Sequence, residues 1–164
     1  MKIGTVTSKP GSVRSGWLEV AKLPTGSAER LPVLVAEGEE PGPTLWVTGA
    51  IHGDEVTGIA AAQDVMTEEL AERIRGTVVS VPILNPAGVR TNDRNSYYHE
   101  EDPNRYFPYQ LGEPGHPPTV QQLIDERLFE RFTETADALV SLHAAWTNER
   151  PFSILERVRY GNER

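Results

Sequence analysis

Apolar residues follow two rhythms along this chain, and the switching between them predicts an α/β fold. Ser15-Gly16-Trp17-Leu18-Glu19-Val20-Ala21 and Leu31-Pro32-Val33-Leu34-Val35-Ala36 read as strands joined through a Pro24-Thr25-Gly26-Ser27 turn. Pro41-Gly42-Pro43 punctuates the chain before Thr44-Leu45-Trp46-Val47-Thr48, which is apolar on successive residues, as in a strand covered on both faces. The rhythm then changes. Ile59, Ala62, Met66, Leu70 and Ile74 recur at three and four residues, which predicts a helix from about Glu55 to Arg75 with Gly76 as its stop. Thr77 to Ile83 is the next buried strand, so strand, helix and strand form a βαβ unit with a parallel pairing. A second helix is expected from about Pro118 to Ala136. Thr119 and Gln122 form its capping box, and Val120, Leu123, Ile124, Leu128 and Phe132 its apolar stripe. It leads into a short buried-looking strand, Ala138-Leu139-Val140-Ser141-Leu142. The fold class is α/β: a mostly parallel or mixed sheet flanked by helices, in one domain with a β-rich segment over 1–40 and a core over 41–164. Neither an internal repeat nor a coiled-coil heptad is visible.

Between Leu84 and Pro117 lies an irregular stretch rich in Asn, Pro, Gly, Arg and Tyr. A connection that long inside a compact domain is usually functional or disordered, and its tyrosines and its Asn and Arg residues favour function.

Composition narrows the chemistry. At 164 residues the chain can bury a core, and 38% hydrophobic with 24% charged residues is ordinary for a globular protein. No segment approaches the ~18 apolar residues needed to span a membrane, and Met1-Lys2-Ile3-Gly4-Thr5 lacks the apolar core of a secretory signal. Cytoplasm is the expected compartment. The net charge of -8 disfavours nucleic acid and anionic lipid as partners. Only Lys2, Lys9 and Lys22 among the 16 basic residues are lysines, which fits a high-salt cytoplasm or coding bias equally well. The absence of cysteine removes disulfides and thiolate ligands, so a tightly bound metal must use His, Asp and Glu.

Those ligands stand where a site is expected. His52 and Glu55, in Ala50-Ile51-His52-Gly53-Asp54-Glu55, directly follow one predicted strand, and His143 directly follows another. The carboxyl edge of an open α/β sheet is where ligands and catalytic groups collect. Two imidazoles and a carboxylate are also the ligand set of a hydrolytic zinc site with a position open for water. The bland alternative makes Glu55 a first-turn acid complementing a helix dipole. In Asp102-Pro103-Asn104-Arg105, the Arg105 fork and the Asn104 amide can hold a carboxylate, though such a tetrapeptide is more often a surface turn. Asp102 can accept the free ring N–H of a ligating histidine. Arg94 on the same loop can stabilise an oxyanion, with Arg90 as its competitor. His99 and His116 are read as solvated.

Together these residues resemble the zinc carboxypeptidase superfamily, in particular its succinylglutamate desuccinylase/aspartoacylase branch. The resemblance runs from about Pro41 to the C-terminus. It implies that His52, Glu55 and His143 hold Zn2+, that Asn104 and Arg105 bind a substrate carboxylate, that Arg94, downstream of Asn85-Pro86, polarises the scissile carbonyl, and that Asp102 orients His52. The implied activity is zinc-dependent hydrolysis of the amide bond in an N-acyl amino acid, so the implied partner is a small N-acyl amino acid or short peptide; a homo-oligomer is compatible with it. A metallocarboxypeptidase on the same fold and a non-catalytic zinc-binding fragment are the alternatives. The family's general base is a glutamate well downstream of the third ligand. After His143 only Glu149, Glu156 and Glu163 remain, none in the family's context. The chain is therefore expected to be incomplete at its C-terminus, to hold zinc but hydrolyse poorly, and to leave an apolar sheet edge open to self-association.

Overall fold

A computed structural model describes residues 1–97, 100–105, 118–144 and 151–154. Two short strands, β1 (Lys2–Ile3) and β2 (Val6–Thr7), form an antiparallel hairpin. The main sheet contains β3 (Ser12–Lys22), β4 (Ala28–Glu37), β5 (Glu40–Gly49), β6 (Arg75–Val81) and β7 (Ala138–Leu142), in the order β3-β4-β6-β5-β7. It is mixed, as expected. β3 with β4 and β4 with β6 are antiparallel, whereas β5 pairs in parallel with both β6 and β7. The parallel half matters most for function, because parallel neighbours end on the same edge of the sheet. No helix among the described residues is long and apolar enough to cross a membrane.

Strand alternation sends side chains to two clusters on opposite faces. Leu31, Val33 and Val35 of β4, Trp46 of β5 and Val79 and Val81 of β6 pack with Ile124 and Leu128 of α4 (Val120–Thr135). On the other face Ala36 meets Met66 and Ala71, with Leu34, Leu70, Ile74 and Val78 around them. Trp46 anchors the first cluster: it is fully buried, its indole N–H donates to Thr135 Oγ1 at 3.0 Å, and the Phe132 ring meets it edge-on. Leu45 and Val47 are half-buried, so β5 is fully covered on one face only. The expected capping box is present, Thr119 accepting from the Gln122 N–H and Gln122 from the Thr119 N–H.

Several elements depart from the pattern reading. The helix expected from Glu55 to Arg75 is two helices, α1 (Thr57–Asp64) and α2 (Glu68–Arg73). Thr67 breaks it: its backbone is extended, its hydroxyl accepts from the Leu70 N–H, and Glu68 and Glu69 complement the new N-terminus. Gly76 stops no helix. It lies within β6 at φ +91, where a Cβ would run into the Pro43 carbonyl oxygen. That strand spans Arg75–Val81 rather than ending at Ile83. Pro41-Gly42-Pro43 falls inside β5, where the register against β6 shifts between Glu40 and Thr44 and so spares the missing amide donors. Among its described residues, the irregular stretch after Leu84 contains a helix, α3 (Pro86–Thr91), and a 3-10 turn at Pro103–Arg105. Strand β7 is not buried; Leu139 and Val140 are 48% and 44% exposed because it is the last strand of the sheet among the described residues.

Candidate metal centre

Three backbone devices bring the candidate ligands together. The parallel register pairs Gly49 with Leu142, so the chain leaves β5 and β7 at the same level. Asp137 sets that register: its carboxylate accepts from the Thr44 N–H at 2.7 Å while its own N–H donates to the Thr44 carbonyl. Beyond β5, Ala50 adopts φ +44, a left-handed conformation that costs a residue with a Cβ about 1 kcal/mol or more. Its carbonyl accepts the Asn85 N–H, and the next residues fold back until the Glu55 N–H reaches the His52 carbonyl at 3.2 Å. Gly53 lies in this turn against α3, where a Cβ would collide with the Gly88 carbonyl carbon and the Val89 nitrogen. Gly53→Ala should lower stability by roughly 2–4 kcal/mol, since the obstruction is backbone rather than a movable side chain. Equilibrium unfolding of the two proteins checks this; a change within 0.5 kcal/mol would mean the turn yields easily.

The side chains converge. His52 Nδ1 lies 2.8 Å from Glu55 Oε1 and His143 Nδ1 lies 2.9 Å from Glu55 Oε2. The two ring centroids are 5.0 Å apart, and one ligand atom from each of the three residues lies within 4.8 Å of the others. Glu55 precedes α1 and faces two imidazoles, so it does not serve as a first-turn helix acid. His52 and Glu55 are buried, while the side chain of His143 is 37% exposed, which leaves one side of the cluster open to solvent.

The donor set fits a metal ion. A tetrahedral zinc with bonds near 2.1 Å holds its ligand atoms about 3.4 Å apart, so opening these contacts by about half an ångström admits it. The outer nitrogens agree. His52 Nε2 faces Asp102 Oδ1 at 2.9 Å and His143 Nε2 faces Ser141 Oγ at 3.2 Å. Protons held on those outer nitrogens leave both Nδ1 lone pairs directed inward. An imidazole that donates through Nε2 to Asp102 presents its Nδ1 lone pair towards the Glu55 carboxylate, a pairing into which a metal ion fits.

Electrostatics keep both acids ionised. Burial pushes the Glu55 carboxyl up, but the Ala144 N–H at 2.9 Å and the neighbouring His52 and His143 outweigh it and hold the group below its ordinary value. Burial likewise raises Asp102, yet bonds from the Asn104 N–H, His52 and Arg94 bring it down to about 2. Arg94 spans the two acids, its Nη1 3.3 Å from Glu55 Oε1 and its Nη2 3.0 Å from Asp102 Oδ2. Arg90 is not at the cluster; it pairs with Glu29. Arg105 Nη2 approaches Asp102 Oδ2 at 3.5 Å, and its Nη1 donates to the Asn104 carbonyl. Asn104 and Arg105 therefore stand beside Asp102 with their side chains exposed. His99, His116, Glu149, Glu156 and Glu163 lie outside the described residues.

Two contributors escaped the sequence reading. Ser141 was legible, since i and i+2 of an extended segment point to one side, placing it with His143. The Ala144 amide carried no signal, because a backbone donor has no residue-type signature.

A mixed α/β sheet with a candidate His-Glu-His metal centre at the carboxyl ends of its parallel strands defines the architecture. Comparison with known proteins agrees: residues 41–159 match the succinylglutamate desuccinylase/aspartoacylase catalytic domain, and the chain belongs to that family. It is 32% identical over 150 residues, 85% of this chain and 40% of the relative, to an N-alpha-acetyl-L-2,4-diaminobutyric acid deacetylase of Halomonas elongata. Among solved structures, the product-bound ectoine utilization protein EutE (DoeB) of Ruegeria pomeroyi is 28% identical with a TM-score of 0.69, covering 84% of this chain and 41% of that one. A succinylglutamate desuccinylase/aspartoacylase of Rhodobacter sphaeroides is 25% identical with a TM-score of 0.69, covering 87% and 43%. The chain thus spans less than half the length of these relatives.

Proposed function

We propose that residues 1–164 form a single α/β unit of a cytoplasmic zinc-dependent deacylase that hydrolyses the amide bond of a small N-acyl amino acid. The convergence of His52 and Glu55, from the turn after β5, with His143, from the end of β7, and an acceptor for both outer ring nitrogens carry this reading. His52, Glu55 and His143 would hold Zn2+. When bound, the ion supplies Lewis acidity and a water of lowered pKa. Asp102 holds the Nε2 proton of His52 and with it the ring's orientation. Arg94 offers its guanidinium to the charge that develops on the carbonyl oxygen. Arg94 and Arg105, beside an ion, make the mouth of the site cationic, which suits an amino acid carboxylate held by Arg105 and Asn104. The Halomonas relative, a deacetylase of an N-acetylated amino acid, supports this substrate class. Among the described residues the carboxylates touching the cluster are Glu55 and Asp102, and both are engaged, so the group that takes the proton from water is another one.

Zinc content and hydrolysis test the proposal together. Wild type should bind one zinc per chain, and His143→Ala should lose it. Hydrolysis measured with N-acetyl amino acids beside C-terminal peptides separates a deacylase from a carboxypeptidase. Equal zinc in wild type and His143→Ala would remove His143 from the ligand set and end the proposal. Stoichiometric zinc with no turnover of either substrate would leave a metal-binding module.

A further inference from the structure

Glu29 is a carboxylate with 2% exposure at the start of β4, far along the chain from the metal centre and outside the 41–159 segment that matches the catalytic domain. A buried charge is costly unless paired. Arg90 in the last turn of α3 supplies the pair as a fork, Nη2 lying 3.2 Å from Oε1 and Nη1 3.5 Å from Oε2. Arg90 thereby joins β4 to the C-terminal end of the helix that leads into Arg94.

That segment needs an external hold. Helix α3 has six residues, too few to persist without tertiary support. Its N-terminal end is fixed to the metal-site turn: Leu84 N–H donates to Gly49, Asn85 N–H to Ala50, and Asn85 Oδ1 caps Gly88. Its C-terminal end turns through left-handed Asn92 (φ +51), with Asp93 N–H returning to the Gly88 carbonyl. The Arg94 carbonyl then accepts from Gly53 N–H at a long 3.3 Å, and the Arg94 side chain reaches Glu55 and Asp102. Glu29 closes the C-terminal end of this arch as the caps close the N-terminal end.

We propose that Glu29 is a positioning residue for Arg94: by gripping Arg90 it fixes the arch from Asn85 to Arg94 and sets where the Arg94 guanidinium stands between Glu55 and Asp102. A part of the chain outside the catalytic segment thereby governs a group at the site. The catalytic consequence rests on the deacylase reading above; the placement of Arg94 does not.

Glu29→Gln, Arg90→Gln and the double variant test this by nitrogen-15 NMR of arginine side chains, with Arg94 assigned by its loss in Arg94→Lys. In metal-free and zinc-loaded wild type the Arg94 guanidinium protons should be protected from solvent exchange. In each variant that protection should fall at least about tenfold, and the double variant should do no more than either single one, because one contact is removed in all three. Zinc stoichiometry should stay at the wild-type value. Where hydrolysis is measurable, kcat should fall about tenfold with KM changed less than about twofold. If Glu29→Gln folds too poorly to purify, Arg90→Gln, at an exposed arginine, removes the same contact. Unchanged Arg94 protection in the variants, however far their melting temperatures drop, would overturn the proposal. Failure of wild type to bind zinc would strike the deacylase reading alone, since the metal-free spectra still judge Glu29.

Discussion

Glu55→Gln is expected to lower zinc affinity at least about 100-fold, the largest effect of any single substitution at the site. The reason is the number of demands on one carboxylate. Oε1 serves His52 Nδ1 and Arg94, and Oε2 serves His143 Nδ1 and the Ala144 N–H. A glutamine keeps one acceptor oxygen and turns an NH2 group towards the other set of partners, so it both removes the charge and adds a repulsive contact. Asp102→Asn should cost less, about 10- to 100-fold, because Asp102 touches His52 only through its outer nitrogen. The graded order, measured by competition against a zinc chelator with circular dichroism as the check on folding, separates a ligand from its support. Equal losses in the two variants, or no loss in Glu55→Gln, would contradict the assignment of Glu55.

The same geometry explains what the sequence could and could not reveal. His52, Glu55 and His143 were legible because strand ends are announced locally, by apolar runs that stop, and parallel strands must then end together. Helix α4 was legible for a similar reason: Thr119 and Gln122 satisfy each other within one turn. Helix α3 was hidden by its length, although Asn85 before Pro86 is an N-cap followed by a proline at the first helical position. The break between α1 and α2 lost out to a regular apolar period, because Ile59, Met66 and Leu70 keep helical spacing across Thr67 while Thr67 itself takes the cap. The choice between Arg94 and Arg90 could not be made from the loop that carries both. It depends on Glu29, on a different strand, which claims Arg90 and leaves Arg94 for the centre. The exposure of β7 was equally invisible, since an apolar run reads the same on an edge strand as on a covered one.

Asp125 should dominate the pH dependence of stability between about pH 4 and 8. It sits on the inner face of α4 at 1% exposure, with a single bond, from Gln121 Nε2 to Oδ1 at 3.0 Å, and no partner for Oδ2. Burial raises its carboxyl from 3.8 to about 7, the bond from Gln121 offsetting only part of that. The folded protein therefore holds a proton at Asp125 across a window in which the unfolded chain has released it. By linkage, stability falls as pH rises from about 4 to about 7 and levels off above. At about 1.4 kcal/mol per pH unit the loss reaches up to ~4 kcal/mol. Asp102 and Glu55 work in the opposite sense. Their carboxyls are depressed in the fold, so their contribution is complete above the ordinary carboxylate range and is lost only in acid, below the Asp125 window. Asp125→Asn cannot ionise and keeps the acceptor for Gln121. Denaturant unfolding should give it stability close to wild type at pH 4 and a clear advantage, of about 2 kcal/mol or more, at pH 8. Parallel stability curves for the two proteins would mean that Asp125 ionises in the fold as readily as in the unfolded chain, and that its buried oxygen finds a compensating partner on α4 or beneath it.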